Sequence, residues 1–523
     1  MSEGFETLHT SEYDGVKSRS FALPRPRLVS ELFTKIFEGN NRCIYLGAPA
    51  ASGKTTLLQL FKEYCNEQGV TCIYQSMLKK NYKTLLHHNT GIDANTWCLE
   101  LDNNGRCVCA DSTKQFVVML DDAQKQYDDP DLWSDLIKSD VSGFQTLPNN
   151  IRFIISATYS LDTPGSPISF ATLPKLNQNK FRLDNDEVDE LFNLYIARYK
   201  DETATPFLHD LVVRNMITGH CNGHIGSLSI SINEIIKHFH HNSAVNVESI
   251  EDFYFSAVMT DQFGRCFRSG LTSIPDNLRE CLIHMLTIGR YRVPGESPEY
   301  RQLIRSGILE ETRRFEAKFT SPAAAQYINE LLFPNRSLSS IEDVKKRGLF
   351  ALLKSVVSRM SATTLRQSVV DLSSVPSEAT FQHLMFAGLE AETPADCNVI
   401  SEISKYFPET STDVPNMKNA PNLPTIKGRC DFFLNGELRW AIEALIQNSK
   451  LNEHLSRFND RGKYVGLKYK NYAVINFVVT ANGELKNVRK GNHLMTVVFK
   501  KGDFSFCNLF CKQKPVERLT LAK

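Results

Sequence analysis

The run APAASGKTT (Ala48–Thr56) follows the apolar stretch CIYLG and opens the helically spaced TTLLQLFKEYC. A chain with this order is committed there to a parallel α/β unit, in which the loop N–H groups and a helix N-terminus converge on one spot. Such a spot binds phosphate oxygens. Lys54 reaches the β and γ oxygens of a nucleotide, and Thr55 offers an oxygen to magnesium. Ala48 stands where Gly is commoner, with Gly47 just before it. Ala48, Gly53, Lys54, Thr55 and Thr56 are therefore the expected ATP-binding residues.

Magnesium takes oxygen ligands, so a second, acidic element is required. The apolar strand FVVML ends in Asp121 and Asp122 and supplies it. Asp121 is expected to hold Mg2+ together with Thr55. Asp122 takes the place often held by a Glu that orients the attacking water, and its shorter reach predicts slow hydrolysis. The later strand IRFIISATYS ends in Ser156 and Thr158, polar residues placed to sense the γ-phosphate. Apolar strands alternate with helical stretches through about residue 160, as βαβ units do. They are preceded by the helix LVSELFTKIF, whose Leu28, Leu32, Phe33 and Ile36 share one face.

A chain of 523 residues exceeds one core, since single cores stop growing near roughly 250–300 residues. The fold class read from the sequence is a multidomain α/β protein with five parts. These are an N-terminal extension (1–24), a P-loop NTPase parallel sheet (25–183), a helical lid (184–270), a winged helix-turn-helix (271–340) and a C-terminal α+β restriction-endonuclease-like domain (341–523). Within the lid, the turn MITGHCNGHIG (Met216–Gly226) leads into a buried-looking helix and resembles the lid of signal-transducing and AAA-like ATPases, and a plain interhelical turn gives the same pattern. Arg290, Arg292, Arg301, Arg305, Arg313 and Arg314 give the winged unit a basic cast suited to phosphates, although such units also pack against their ATPases.

Lys and Arg total 60 against 59 Asp and Glu, a formal charge of +1, so any nucleic-acid surface must be local. The 42% hydrophobic and 23% charged fractions are those of ordinary globular material. No stretch approaches the roughly 18 apolar residues of a membrane helix, and the first residues lack a signal-peptide core. Thirteen scattered cysteines read as reduced thiols. Neither Cys107 and Cys109 nor Cys507 and Cys511 has partners at zinc spacing, and the three histidines after Lys237 read as a helix end.

Toward the C-terminus, GRCDFFL and LRWAIEAL read as antiparallel strands joined by a turn at Asn435-Gly436. Asp431 and Glu443 then lie on neighbouring strands, where paired carboxylates can share a divalent metal that activates water against a phosphodiester. Glu378, at the start of a preceding helix, is positioned to join them. Read alone, exposed strand carboxylates give the same pattern. The order helix, hairpin, helix (LNEHLSRF), strand (YAVINFVV) matches the restriction-endonuclease-like core. The expected Lys of Glu-x-Lys is replaced by Leu445, which makes Lys450 or Lys463 the candidate cation.

APAASGKTT, VVMLDDAQ, the GRCDFFL and LRWAIEAL pair, and NEHLSRF with GKY together resemble Crinkler-type proteins over most of residues 25–523. That family joins a P-loop NTPase, a winged helix and a restriction-endonuclease-like nuclease. The resemblance implies a secreted effector with ATP, Mg2+ and a C-terminal site taking Mg2+ or Mn2+, acting on nucleic acid, chiefly DNA, in a nucleus or host nucleus. The ubiquitin-like header usual in the family has no counterpart in this sequence, so a cytoplasmic location is the alternative. Asp122, Glu378, Asp431 and Glu443 are the expected catalytic residues, and a homo-oligomer without a membrane partner is expected. The rival reading is an ATP-dependent signalling switch whose last domain binds a partner without cutting. A remodelling motor is weaker, for want of an assignable arginine finger.

Overall fold

In the computed structural model, residues 23–522 are described apart from 40, 79–80, 94–97, 100–108, 110–112, 127–128, 130–146, 159–172, 177, 200–205, 240–244, 268–273, 289, 293–296, 314–315, 334–338, 370–374, 395–396, 402–429, 460–461, 465–466, 486–490 and 512–515. Every residue of strand β1 (Cys43–Gly47) is buried, as expected of a parallel strand covered on both faces. It follows helix α1 (Pro26–Phe37), which starts on a proline at its first position and buries Leu28, Val29, Leu32 and Ile36. After the loop come α2 (Lys54–Glu67), β2 (Thr71–Ser76), α3 (Tyr82–Thr90) and a short antiparallel pair, β3 (Ile92–Asp93) and β4 (Cys98–Leu99).

Strands β5 (Phe116–Asp121), β6 (Ile151–Ala157) and β7 (Lys175–Leu176) complete a five-stranded parallel sheet in the order β2-β5-β6-β1-β7. Strand β6 thus lies between the strand leading into the phosphate loop and the strand ending in Asp121. The sheet buries one apolar cluster on each face. One is built on Tyr45, Val118 and Phe153, the other on Ile44, Leu58 and Val117. Strand order and loop together make this an α/β P-loop NTPase sheet.

Helix α4 (Gln178–Phe181) leads to α5 (Asn185–Arg198), which opens with a capping box between Asp184 and Glu187. Helices α6 (Leu211–Cys221), α7 (Ile225–Phe239), α8 (Val247–Tyr254) and α9 (Ala257–Phe263) follow and form a helical unit. A small-sheet unit comes next. Helix α10 (Asp276–Ile288), β8 (Arg290–Arg292), α11 (Pro298–Arg305), β9 (Leu309–Arg313), β10 (Glu316–Phe319) and α12 (Pro322–Leu332) surround a sheet of order β8-β10-β9.

The C-terminal block begins with α13 (Ile341–Arg347), α14 (Leu349–Arg359), α15 (Ala362–Gln367) and α16 (Glu378–Glu392). Its seven-stranded sheet runs in sequence order through β11 (Val399–Ser401), β12 (Phe432–Leu434), β13 (Trp440–Ile446), β14 (Asn471–Thr480), β15 (Leu494–Lys500), β16 (Asp503–Cys511) and β17 (Glu517–Thr520), with α17 (Leu451–Ser456) between β13 and β14. The β13–β14 and β14–β15 pairs are parallel and the others antiparallel. The hairpin differs from the sequence expectation. Its turn extends over 435–439, with positive φ at Gly436 and Arg439, and β13 begins at Trp440 rather than Leu438.

One continuous apolar cluster runs through the helical unit, the small-sheet unit and the C-terminal block, from Phe192 through Leu303 to Phe477. Polar links reinforce it. Arg439 donates to Glu251 at 3.5 Å in a buried pair, Ser401 to the Leu286 carbonyl at 2.8 Å, and Asn329 to Glu390 at 2.6 Å. No helix among the described residues is long and apolar enough to cross a membrane. Ten cysteines, from Cys43 to Cys507, carry buried free thiols, and the free thiol of Cys511 is half-buried. Cys107, Arg314, His240, His241, nearly all of the N-terminal extension and the polar stretch near 408–427 lie outside the described residues.

Candidate nucleotide site and carboxylate cluster

The loop between β1 and α2 turns on two left-handed residues, Ala51 (φ 56°) and Gly53 (φ 84°), the second being the residue before α2. This geometry turns successive N–H groups inward around an anion site. Lys54 Nζ donates to the carbonyls of Ala48 at 2.8 Å and Pro49 at 2.7 Å. Burial lowers its ammonium from the ordinary 10.5 to about 8, and Asp121 and Asp122 pull the other way. A desolvated cation fixed beside an anion-binding loop is poised to trade those carbonyls for phosphate oxygens.

Asp121 is the hub of this site. It is 1% exposed, and four donors fill its oxygens. Thr55 Oγ1 at 2.7 Å and Tyr74 OH at 2.9 Å donate to Oδ2, while Ser156 Oγ at 2.6 Å and the Asp122 N–H at 3.0 Å donate to Oδ1. Thr55 and Asp121 thereby bring a hydroxyl and a carboxylate together, a donor set that fits magnesium. Asp122 adopts a left-handed backbone (φ 58°), and its Oδ1 accepts from Gln124 Nε2 at 3.3 Å. Such a conformation costs a non-glycine residue about 1–3 kcal/mol and clusters at functional positions. Thr56 is half-buried in the first turn of α2.

Of the two strand-end residues, Ser156 reaches Asp121. Thr158 is held by its backbone, its N–H donating to Gln124 Oε1 at 3.2 Å and its carbonyl accepting from Tyr45 OH at 3.0 Å. Tyr74 had no sequence signal, because only the β2–β5 register, which sets Ser76 beside Asp121, brings it near.

The helical unit and the small-sheet unit both sit on this loop. A Cβ on Gly226 would fall 2.5 Å from Ala51 Cβ and 2.6 Å from the Ala51 carbonyl. One on Gly307, the turn after α11, would fall 2.2 Å from Pro49 Cγ. His224 caps α7, its Nδ1 accepting from the Ser227 N–H at 3.1 Å. Burial pushes its imidazole down to about 4, against the pull of the Ala50 backbone, and the Arg182 and Lys54 charges lower it further. Arg182 donates to Glu310 at 2.5 Å and to the Thr320 carbonyl at 3.3 Å, tying the two units beside the loop. Gly226→Val should therefore unseat α7, with a loss of about 1–3 kcal/mol in thermal or urea melts and weakened nucleotide binding in a fluorescence titration. An unchanged melt and affinity would show that α7 does not depend on that contact.

No family model matches this chain, and no curated protein matches it. Among solved structures it is similar to a Walker-type ATPase of Pyrococcus abyssi (15% identity, TM-score 0.35, 59% of this chain and 97% of that one). It is also similar to AMPPCP-bound DnaA from Aquifex aeolicus (13% identity, TM-score 0.31, 55% and 90%) and to Drosophila ORC bound to DNA (11% identity, TM-score 0.31, 60% and 88%). Scores of this size leave the P-loop assignment resting on strand order and loop geometry.

In the C-terminal block, Asp431 directly precedes β12, whose Phe432 pairs with Ile442, so it faces Glu443 across the hairpin. Its Oδ2 accepts from the Ala444 N–H at 2.7 Å. Gln382 Nε2 lies 3.1 Å from Asp431 Oδ1 and 3.4 Å from Glu378 Oε1, so α16 brings all three expected carboxylates together. Glu443 is 1% exposed. Tyr464 OH donates to its Oε1, while His454 Nδ1 at 2.6 Å and Arg457 at 3.2 Å meet Oε2.

The cation at Glu443 is thus Arg457. Lys463 lies 3.9 Å from Glu453 at the rim, and Lys450 precedes α17 in a left-handed conformation without capping it. Both Glu443 oxygens are met by protein donors, as those of Asp121 are. Among the described residues no group of three or more His, Cys, Asp or Glu is arranged to hold a metal ion.

Burial pushes the Asp431 carboxyl well above the usual range; Glu443 and Glu378 add to the effect, and the Ala444 N–H and Arg457 oppose it. With the folded pKa above the unfolded value of about 3.9, the native state holds an extra proton between the two. Its stability contribution is present in full below the unfolded pKa and is lost as pH rises through the folded one. Asp431→Asn, which cannot ionise, is expected to melt above wild type at about pH 7.5 in EDTA, the gap closing toward about pH 4. A gap that widens on acidification would refute the assignment.

Proposed function

We propose that this protein is an ATP-driven switch in which nucleotide at the phosphate loop controls how the helical unit and the small-sheet unit, read as a lid and a winged helix, are seated. The C-terminal block moves with them. The observation that carries this reading is the paired backbone approach of Gly226 to Ala51 and Gly307 to Pro49. ATP binds through the loop N–H groups and Lys54, whose ammonium exchanges the Ala48 and Pro49 carbonyls for β and γ oxygens. Thr55 and Asp121 hold magnesium, which neutralises phosphate charge; Ser156 and Tyr74 fix Asp121, and Asp122 orients the attacking water.

Because lid, winged helix and C-terminal block share one core, movement at the loop is transmitted to the block as a rigid displacement. Hydrogen exchange with and without ATP tests this. The expected result is altered protection at residues 222–228 and 303–309 that is absent in Lys54→Ala. Identical protection with and without nucleotide, in protein that binds ATP, would sink the switch. Light scattering in the same buffers reads the expected ATP-dependent homo-oligomer.

A second reading is favoured by the convergence of Glu378, Asp431 and Glu443 with Gln382 and Arg457. On it the chain is a Crinkler-type effector acting on DNA in a nucleus, with a restriction-endonuclease-like last domain in which Arg457 takes the place of the missing lysine as a phosphate contact. Incubation of duplex DNA with wild type and Glu378→Gln, in Mg2+, in Mn2+ and in EDTA, separates the two readings. Cutting by wild type alone supports the nuclease, and intact DNA throughout leaves a binding module.

A further inference from the structure

Asp122 carries a short carboxylate on a backbone that side chains rarely adopt. Its left-handed conformation (φ 58°) persists only where the surroundings over-determine it. Part of that constraint comes from Gln124, a half-buried residue in the short 3-10 helix (Ala123–Gln126) that follows β5.

Gln124 uses both ends of its amide. Nε2 donates to Asp122 Oδ1 at 3.3 Å, and Oε1 accepts from the Thr158 N–H at 3.2 Å. A carboxylate requires a donor and an N–H requires an acceptor, so the two partners together fix which way the amide lies. Thr158 is a firm anchor. It directly follows β6, the strand between β5 and β1, and its carbonyl accepts from the hydroxyl of Tyr45 on β1 at 3.0 Å. The Asp122 N–H in turn donates to Asp121 Oδ1 at 3.0 Å. The backbone of Asp122 is thus tied to Asp121, and its carboxylate, through Gln124, to the end of β6.

We propose that Gln124 is a positioning residue for ATP hydrolysis, whose amide aims the Asp122 carboxylate at the attacking water; this rests on the water-orienting role given to Asp122 above. Misplacing a reacting group by about 1 Å can cost about 10²-fold in rate, and a side chain one methylene shorter than Glu has little reach with which to recover the geometry. Neither bond of the Gln124 amide involves the phosphate loop. Its loss therefore falls on the chemical step and leaves ATP affinity alone.

Single-turnover phosphate release and a fluorescence titration with ATP, on the full chain with Mg2+, test this in wild type, Gln124→Leu, Gln124→Glu, Asp122→Ala and the double variant Asp122→Ala with Gln124→Leu. Gln124→Leu, which removes both ends of the amide, is expected to slow hydrolysis about 10–100-fold while ATP affinity stays within about twofold. Gln124→Glu keeps the shape but lacks the donor and sets a second negative charge against Asp122, so it should lose as much. In the Asp122→Ala background Gln124→Leu should change the rate by less than about threefold, because the two residues act as a unit. The proposal is overturned by a loss smaller than about tenfold in both Gln124 variants, by a larger change than about threefold in the Asp122→Ala background, or by a fall in affinity matching the fall in rate, as a merely structural role would give. Should Gln124→Leu fail to fold, Gln124→Glu takes its place in both backgrounds. Wild-type hydrolysis in Asp122→Ala would remove the role of Asp122 and the proposal with it, whereas loss in Asp122→Ala without loss in the Gln124 variants removes the proposal alone.

Discussion

Lys54→Ala is expected to lower ATP turnover by about 10²–10³-fold, the loss seen when one preorganised charge-stabilising donor is removed from a transition state. The structure explains why the effect on catalysis should far exceed that on stability. In the nucleotide-free loop the ammonium makes two hydrogen bonds, to Ala48 and Pro49, but it is also desolvated enough to bring its pKa to about 8. The two terms oppose each other, so removing the side chain should shift unfolding free energy by no more than about 1 kcal/mol. Steady-state phosphate release and a urea melt on the same preparation check both halves. Turnover within about threefold of wild type, far short of the loss of a stabilising donor, would mean that the loop is not the phosphate site.

Glu443→Ala is expected to destabilise the C-terminal block by about 1–3 kcal/mol in urea unfolding, because it removes a buried acceptor shared by three donors and leaves half-buried Arg457 with its rim partner Glu453. Arg457 and His454 lose Oε2, and the Tyr464 hydroxyl loses its acceptor. Glu443→Gln keeps the shape and one acceptor oxygen and should fall between. A loss under about 1 kcal/mol, the range of an exposed ion pair, would show that the network carries little of the block's stability. The magnitude also bears on the DNA assay proposed above: a Glu443 variant confounds loss of activity with loss of fold, whereas exposed Glu378 can be neutralised without that ambiguity.

What was legible in the sequence was local. A phosphate loop needs a strand before it, glycine within it and a helix after it, all inside about twenty residues, so Ala48–Thr56 could be read directly. Asp121 was legible as a polar residue ending an apolar strand. Its partners Tyr74 and Ser156 depend on the strand order β2-β5-β6-β1, and of these only Ser156, as a strand-end residue, left a trace. The turn at 435–439 was read too short because Asn435-Gly436 imitates a two-residue turn, while Arg439, committed to the buried pair with Glu251, extends it. Glu-x-Lys spacing points two residues along a strand and so toward lysines, whereas Arg457 reaches Glu443 from just beyond α17, across space. Nothing local marks Gly226 and Gly307 as contact points, since the requirement for glycine comes from the neighbouring chain.

The continuous apolar cluster from the helical unit to the end of the chain, set against two separate clusters in the P-loop sheet, means that blocks of sequence and units of cooperative unfolding do not coincide. Three of the segments distinguished by sequence are expected to unfold as one calorimetric body, and the P-loop sheet as another. Bound ATP stabilises its own body directly and the other only through the seam at Ala51 and Pro49. The distance between two heat-absorption peaks would therefore gauge the strength of that seam, and the proposed switch can be tested in a calorimeter without following any reaction.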